Sequence, residues 1–378
     1  MDCNDAIRRP GMILVSTQCY PPKSGGIEIL MHSLCVQLFN KGHPIRVYAD
    51  TGKTARDRSF DLSCKFPVQR YGGIKPWRRR KKARAIRQYL DRAGTGTLLM
   101  DSWKSLEYLQ LPAANRIVCL AHGTEYPLQP GAAKSTRIVN SLARASVIIA
   151  NSDYTARRVA RYAGADERIH VIHPGINPPA VADTETRAEV ARSIAGRTPV
   201  LISIARLEPR KGHELALGIM PELIAKFPRL LYIIAGEGSQ RRRLQHVVAA
   251  SGLHEHVLFC GRLEEPVKSA YLQASDAFVM PGTSAGDDIE GFGMAYIEAA
   301  SHGLPAIAGR SGGAEEAVVH EQTGIVCDAR DRGELFAAVT GLLDNPERRR
   351  QLGENARKRS DEYLWPNRIR DYEQLLCQ

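Results

Sequence analysis

The sequence predicts an α/β protein of two domains, each a parallel sheet covered by helices on both faces. Short, continuous apolar runs alternate with helical stretches along all 378 residues, the pattern of strands buried on both faces. A chain of this length exceeds one typical core. Pro and Gly also cluster once near the middle, in His173-Pro-Gly-Ile-Asn-Pro-Pro-Ala180, which reads as a boundary.

In the first half, strands are expected at 12–16, 45–49, 97–100, 117–121, 147–150 and 170–172. The second half repeats the plan at 200–204, 230–235, 256–260, 277–280, 305–308 and 324–327. Residues 1–175 then form an N-terminal domain and 176–355 a C-terminal domain, opening on a polar helix at 184–195. The charged tail, helical from 348, is expected to break at Trp365-Pro366, so that 356–378 turn back across the first domain.

Composition bounds the function. Net charge is +11 with a pI near 9.3, which suits nucleic acid, an anionic membrane or an anionic small molecule. The charge concentrates in Lys75-Pro-Trp-Arg-Arg-Arg-Lys-Lys-Ala-Arg-Ala-Ile-Arg87. If helical from Trp77, this segment can lie on anionic lipid; the plainer alternative is a solvated outer helix. No helix-turn-helix, zinc spacing or RNP-type aromatic motif supports nucleic acid. No apolar run is long enough to span a bilayer, and Met1-Asp-Cys-Asn-Asp-Ala-Ile-Arg-Arg9 is too polar to begin a signal peptide. The eight cysteines are scattered, with Cys119 and Cys260 expected in the core. A cytoplasmic protein without structural disulfides or zinc follows.

The most informative stretch is Asp288-Ile-Glu-Gly-Phe-Gly-Met-Ala-Tyr-Ile-Glu-Ala-Ala-Ser-His-Gly-Leu-Pro-Ala-Ile-Ala308. It reads as a polar loop, a Gly-Phe-Gly turn, a short apolar helix and a buried strand. Glu290 precedes the helix and Glu298 is expected about two turns into it. Eight helical residues rotate about 80° beyond two turns, so the two carboxylates should hold different parts of one ligand. Amides at Gly291, Phe292 and Gly293, at the helix start, favour a phosphate or a sugar oxygen. A loop acid plus a helix-surface acid is the simpler alternative. Glu298, however, lies between Ile297 and Ala299-Ala300, an odd place for an unused carboxylate.

Other loops join this one at the carboxyl edges of the sheets, where open α/β sheets bind ligands. Arg206 and Lys211 flank a turn after the first strand of the second domain; Gly236 with Gly238 follows the second, and Arg262-Leu263 the third. Arg grips phosphate at two points and Lys adds a compact charge. Ser311-Gly-Gly313 is one more flexible rim. In the first domain, Gly25 and Gly26 precede a helix and His122 ends the fourth expected strand. The glycines lack G-x-G-x-x-G spacing, so a nicotinamide cofactor is poorly supported.

Taken together these motifs resemble the retaining glycosyltransferases of family 4, the group 1 glycosyltransferases. The matching elements are Gly25-Gly26, His122-Gly123, Asn151-Ser-Asp-Tyr-Thr155, His173-Pro-Gly-Ile176, Arg206 with Lys211, Gly236-Glu-Gly238 and the Glu290/Glu298 pair. The stretch 280–313 is most similar to bacterial phosphatidylinositol-mannoside mannosyltransferases.

The resemblance implies a GT-B fold, two Rossmann-like domains facing each other across a cleft. The first would bind the acceptor and the second the nucleotide sugar. It also implies a retaining hexosyltransferase that needs no metal and no cofactor, the leaving phosphate taking the acceptor's proton. Arg206 and Lys211 would hold the donor diphosphate, Glu298 the ribose, Glu290 the sugar hydroxyls and His122 an outer hydroxyl of that sugar. Gly25 and Gly26 would admit the diphosphate. The expected donor is GDP-mannose and the acceptor a lipid-linked or cell-surface glycan, reached peripherally on the inner face of the cytoplasmic membrane. UDP-glucose, UDP-galactose or UDP-N-acetylglucosamine are the alternative donors. A sugar-nucleotide epimerase and a non-enzymatic membrane- or nucleic-acid-binding protein are the remaining alternatives.

Overall fold

The structure is a computed structural model that describes residues 11–23, 25–52, 55–112, 115–164 and 167–377; Cys3 and the polar start of the chain lie outside them. The chain divides into two compact units. Unit 1 comprises Met1–Gly175 with Arg368–Gln378, and unit 2 Ile176–Asn367.

Unit 1 is built on β1 (Ile13–Thr17), β2 (Ile45–Asp50), β3 (Val68–Tyr71), β4 (Thr97–Met100), β5 (Arg116–Ala121), β6 (Val147–Ala150) and β7 (Ile169–Val171). They form one sheet in the order β3-β2-β1-β4-β5-β6-β7, every pair parallel. Unit 2 carries β8 (Val200–Ile204), β9 (Leu231–Ala235), β10 (Val257–Gly261), β11 (Ala277–Met280), β12 (Ala306–Gly309) and β13 (Gly324–Cys327). Their order is β10-β9-β8-β11-β12-β13, again parallel throughout. Side chains alternate across each sheet: Val200 and Ile202 enter one apolar layer and Leu201 the other. Both units are therefore Rossmann-like, with helices between parallel strands.

Strand order reverses at β1/β4 in unit 1 and at β8/β11 in unit 2. Loops leaving the carboxyl ends on either side of such a point diverge and leave a crevice. Each of these places positions the candidate residues of its own unit.

The expected strands lie within a residue or so of the observed ones, with one omission. β3 is missing from the expectation because Val68-Gln-Arg-Tyr71 is an edge strand with little apolar character. The basic helix starts at Lys75, two residues early, with Pro76 in its first turn. Pro366 likewise begins a helix, Trp365–Cys377, after the preceding one stops at Ser360. The return to unit 1 starts at Arg368 and not at 356. Residues up to Trp365 stay with unit 2 because Ile176 exchanges backbone hydrogen bonds with Tyr363 and Trp365, and Phe292 packs on Tyr363. Beyond Arg368 the helix is tied to unit 1: Arg116 and Thr97 donate to the carbonyls of Leu375 and Leu376 at 2.8 and 3.1 Å.

Among the described residues no helix is long and apolar enough to cross a membrane. The seven described cysteines are free. Cys119 is fully buried, whereas Cys260 is half-buried against the core.

Candidate functional site

In unit 2 the turn after β8 and the loop after β11 meet at the reversal point. Gly212, with φ of 73°, lies so close to β11's exit that a Cβ would stand 1.9 Å from the Pro281 carbonyl. Glycine is required there. Thr283 donates its N–H to the Arg210 carbonyl at 2.9 Å, lacing the two loops together.

This packing buries two cations, Arg210 and Lys211, against the half-buried Glu290. Arg210, only 7% exposed, reaches Glu290 at 2.9 Å, Asp288 at 3.0 Å and Glu208 at 3.2 Å. Lys211 donates to the same Glu290 oxygen as Arg210. Burial pushes the Glu290 carboxyl up, but Lys211 and Arg210 overcome it and hold the group below its ordinary value. Burial lowers the Lys211 ammonium, partly offset by Glu290. Removing one partner of such a cluster strands a buried charge and costs about 3–5 kcal/mol. Arg206 lies outside the cluster; it is exposed and paired with Glu208 at 2.8 Å.

Glu290 is also held from behind. Gly313 donates to its carbonyl at 2.9 Å, and Cβ atoms at Gly312 and Gly313 would collide with the carbonyls of Glu290 and Gly291. The Ser311-Gly-Gly313 rim thus supports the Glu290 loop. Gly293, with φ of 99°, starts the helix Met294–Ala300, so Glu298 is its fifth residue, about one turn in rather than two. Glu298 faces a different element. Lys268, from the helix Glu265–Gln273, stands 3.2 Å from it and 2.9 Å from Glu265. That partner accounts for a carboxylate among apolar neighbours. Burial lowers the Lys268 ammonium, but Glu298 and Glu265 outweigh it and raise the group above its ordinary value.

The remaining unit 2 positions divide into backbone and surface. The Phe292 ring is buried against Tyr363, and Leu263 packs on the core. Neither side chain is presented to a ligand, because each fills the apolar layer beneath its loop. Arg262 is exposed. Gly236 and Gly238 answer to backbone packing, since Cβ atoms there would lie 1.9 and 2.3 Å from the carbonyls of Ala205 and Leu207.

Unit 1 is furnished differently. Asp101, just beyond β4, accepts from the Gln18 N–H at 2.6 Å, the Thr17 hydroxyl at 3.0 Å and the Ser105 hydroxyl at 2.6 Å. His122 ends β5, is buried, and places Nε2 2.9 Å from the Asp101 carbonyl. A carbonyl only accepts, so Nε2 carries the proton and Nδ1 is left as an acceptor. Glu125 accepts the His122 N–H at 2.7 Å and holds the turn. The expected cradle at Gly25 is filled instead: the buried Glu28 carboxylate lies where a Gly25 side chain would point, while Gly26 faces open space. Ser152 caps the helix Asp153–Ala163 by accepting from Thr155, a structural reason for its motif.

Residues 24–179 match the family model described as Glycosyltransferase Family 4, and residues 185–359 match Glycosyl transferases group 1. The chain belongs to the group 1 glycosyltransferases. It is 29% identical over 368 residues to a GDP-mannose-dependent alpha-(1-6)-phosphatidylinositol monomannoside mannosyltransferase of Mycolicibacterium smegmatis, covering 94% of this chain and 96% of the relative. A protein of the same printed name from Mycobacterium tuberculosis is 28% identical, with 92% of each chain covered. Relatives of this kind make the glycosyltransferase a hexosyltransferase. Among solved structures, Anabaena HepE in complex with UDP and glucose superposes with a TM-score of 0.80 at 19% identity, covering 97% of this chain and 99% of that one. Sucrose-phosphate synthase from Thermosynechococcus elongatus gives 0.78 at 20% identity, covering 97% and 98%. Both likenesses speak for the GT-B fold.

The structure brings together two expected residues of this glycosyltransferase, Lys211 and Glu290, and adds Arg210, which in the sequence is one more cation of a turn. Three nearby acids, Glu208, Asp288 and Glu290, were the available signal for it, but their common partner is visible only in space. Lys268 and Asp101 escape sequence reasoning in the same way.

Proposed function

We propose that this glycosyltransferase moves mannose from GDP-mannose to a lipid-linked or cell-surface glycan acceptor, retaining anomeric configuration and needing no metal. The observation that carries this reading is the buried cluster of Arg210, Lys211 and Glu290 at the unit 2 reversal point. Lys211, with Arg206 at the rim, offsets the diphosphate and the charge that grows on the departing nucleotide. Glu290 orients hydroxyls of the transferred sugar, and Glu298 those of the ribose. In unit 1, His122 accepts a sugar hydroxyl through Nδ1.

Glu290 is ionised and held by two cations, so it is a poor proton donor and a weak base. The proton of the acceptor hydroxyl therefore passes to the leaving phosphate, and the Glu pair is not a glycosidase acid and nucleophile. The choice of GDP-mannose is supported by relatives named for that donor, aligned over more than nine-tenths of the chain.

The enzyme works peripherally at the inner face of the cytoplasmic membrane, through one face of the basic helix Lys75–Ala93. Ile74 and Trp77 are 66% and 59% exposed, and Arg80, Lys81, Arg84 and Arg87 are also exposed. Arg78, Arg79 and Lys82 point inward to Asp50 and Glu107. They brace the helix rather than meet lipid, which narrows the expected surface.

The test is a donor screen by thermal shift and nucleotide release, with and without EDTA. A response to GDP-mannose, indifferent to EDTA, is expected; a response only to UDP-sugars would replace the donor, and silence toward every nucleotide sugar would defeat the reading.

A further inference from the structure

Two helices of unit 2, Glu265–Gln273 and Met294–Ala300, rest on the same apolar layer, Ala270 and Leu272 coming from the first and Ile297 and Ala299 from the second. Apolar burial is non-directional, so polar bridges between the helices fix how they stand to one another. One bridge is the Lys268–Glu298 pair at 3.2 Å. The other lies one residue along, where the Ser269 hydroxyl and His302 Nε2 are 2.8 Å apart. The donor roles above touch the first bridge and leave the second without a purpose.

The chemistry of the ring decides which group donates. His302 follows the end of the helix Met294–Ala300 and folds back on it, placing Nδ1 2.9 Å from the Glu298 carbonyl. The Ser301 hydroxyl donates to the same carbonyl at 2.7 Å. A carbonyl only accepts, so Nδ1 carries the proton and Nε2 is the acceptor for Ser269. Burial lowers the His302 pKa, which favours this neutral form. Ser269 is 1% exposed, so its hydroxyl depends on that acceptor. One imidazole thus holds the backbone of Glu298 with one nitrogen and the neighbour of Lys268 with the other.

We infer that His302 and Ser269 are positioning residues for the nucleoside half of the donor and act through Glu298. A ribose hydroxyl that donates to Glu298 competes with Lys268 for the carboxylate. The Ser269–His302 bond joins a buried hydroxyl to a ring anchored on backbone, and takes no part in that exchange. It keeps the two helices, and with them Glu298, in place while the ion pair is being shared. This rests on the reading that Glu298 holds the ribose, and adds the residues that hold Glu298.

Calorimetric titration of the full chain with GDP-mannose tests it. Ser269→Ala removes the hydroxyl together with its need for a partner, so the variant should fold. It should weaken binding about fivefold, the effect of one hydrogen bond. His302→Asn keeps a donor for the Glu298 carbonyl but is too short to reach Ser269, and should weaken binding as much. His302→Gln, whose amide extends as far as Nε2, should restore affinity to within about twofold of wild type. The decisive arm is Glu298→Ala: if the pair acts through Glu298, adding Ser269→Ala to that variant changes the Kd no further. Additive weakening there would overturn the inference. So would a Gln variant as weak as the Asn one, or a Ser269→Ala protein that melts lower yet binds like wild type. Those results sink this inference alone, whereas a wild type that binds no GDP-mannose sinks the reading beneath it.

Discussion

The reversal points of the two sheets share a topology and differ in chemistry. At β8/β11 the loops bury two cations against three acids, with Arg210 and Lys211 converging on one Glu290 oxygen. At β1/β4 a single carboxylate, Asp101, is satisfied by backbone and hydroxyl donors, and His122 hangs from its backbone. Cations held by acids at this edge can exchange those partners for a highly charged ligand such as a diphosphate. A mount built of hydrogen bonds suits hydroxyl groups. Two Rossmann-like units thus differ in chemistry through the loops they carry.

The hardest test of this division is Lys211→Ala. It should lower kcat/KM by about 10²–10³ and abolish the thermal shift with GDP-mannose. His122→Ala should slow turnover but leave that shift intact; loss of donor binding in both would erase the contrast.

Next comes a pH effect confined to unit 2. His213, beside the cluster, is buried with both ring nitrogens unpartnered. Burial, reinforced by Lys211, lowers its pKa from 6.5 to about 4. The unfolded chain therefore binds this proton more readily, and stability falls as pH drops from 6.5 toward about 4, by on the order of 3 kcal/mol. Depressed Glu290 works in the same direction, its stabilisation present above its unfolded value and lost as pH falls through the folded one. Denaturant melts of wild type and His213→Leu across that window should show the steeper loss only in the wild type.

Within unit 2, Glu290→Gln should cut turnover by about 10²-fold. Glu298→Ala should raise the donor Kd about tenfold, with little change in kcat. Equal effects on both parameters in both variants would mean that the two carboxylates do not hold separate parts of the donor. The smallest effect belongs to the surface. Reversing Lys81, Arg84 and Arg87 should weaken salt-sensitive vesicle capture by a few-fold for each charge, about 1 kcal/mol apiece at most, without changing the melting temperature. Capture that survives the reversals would leave that face merely solvated.

Much of this was legible in the chain. Every strand but β3 could be located, because apolar runs of about four to six residues between helices fit little besides buried strands. β3 escaped because Val68-Gln-Arg-Tyr71 carries too few apolar residues to show a pattern. The glycines at 236, 238 and 313 could be noticed but not understood. They read as loops of a ligand rim, whereas each is a point where two backbones nearly touch. Which cations of the basic helix face outward was hidden for a related reason. Helical spacing separates faces, but cannot say that Arg78, Arg79 and Lys82 find carboxylates beneath them.

By itself the sequence determined the two-domain α/β plan and the positions of Lys211, Glu290 and His122 at strand and helix ends, and its motifs carry the resemblance to the family. The plan and these positions follow from short-range periodicity and local turn chemistry, which neighbouring residues carry. Tertiary structure alone decided the pairings: Arg210 with Glu290, Lys268 with Glu298, His122 with Asp101, Glu28 over Gly25. An ion pair depends on which loops meet at the end of a sheet, and residues 80 positions apart, such as Arg210 and Glu290, become neighbours only when the strands between them are laid in order.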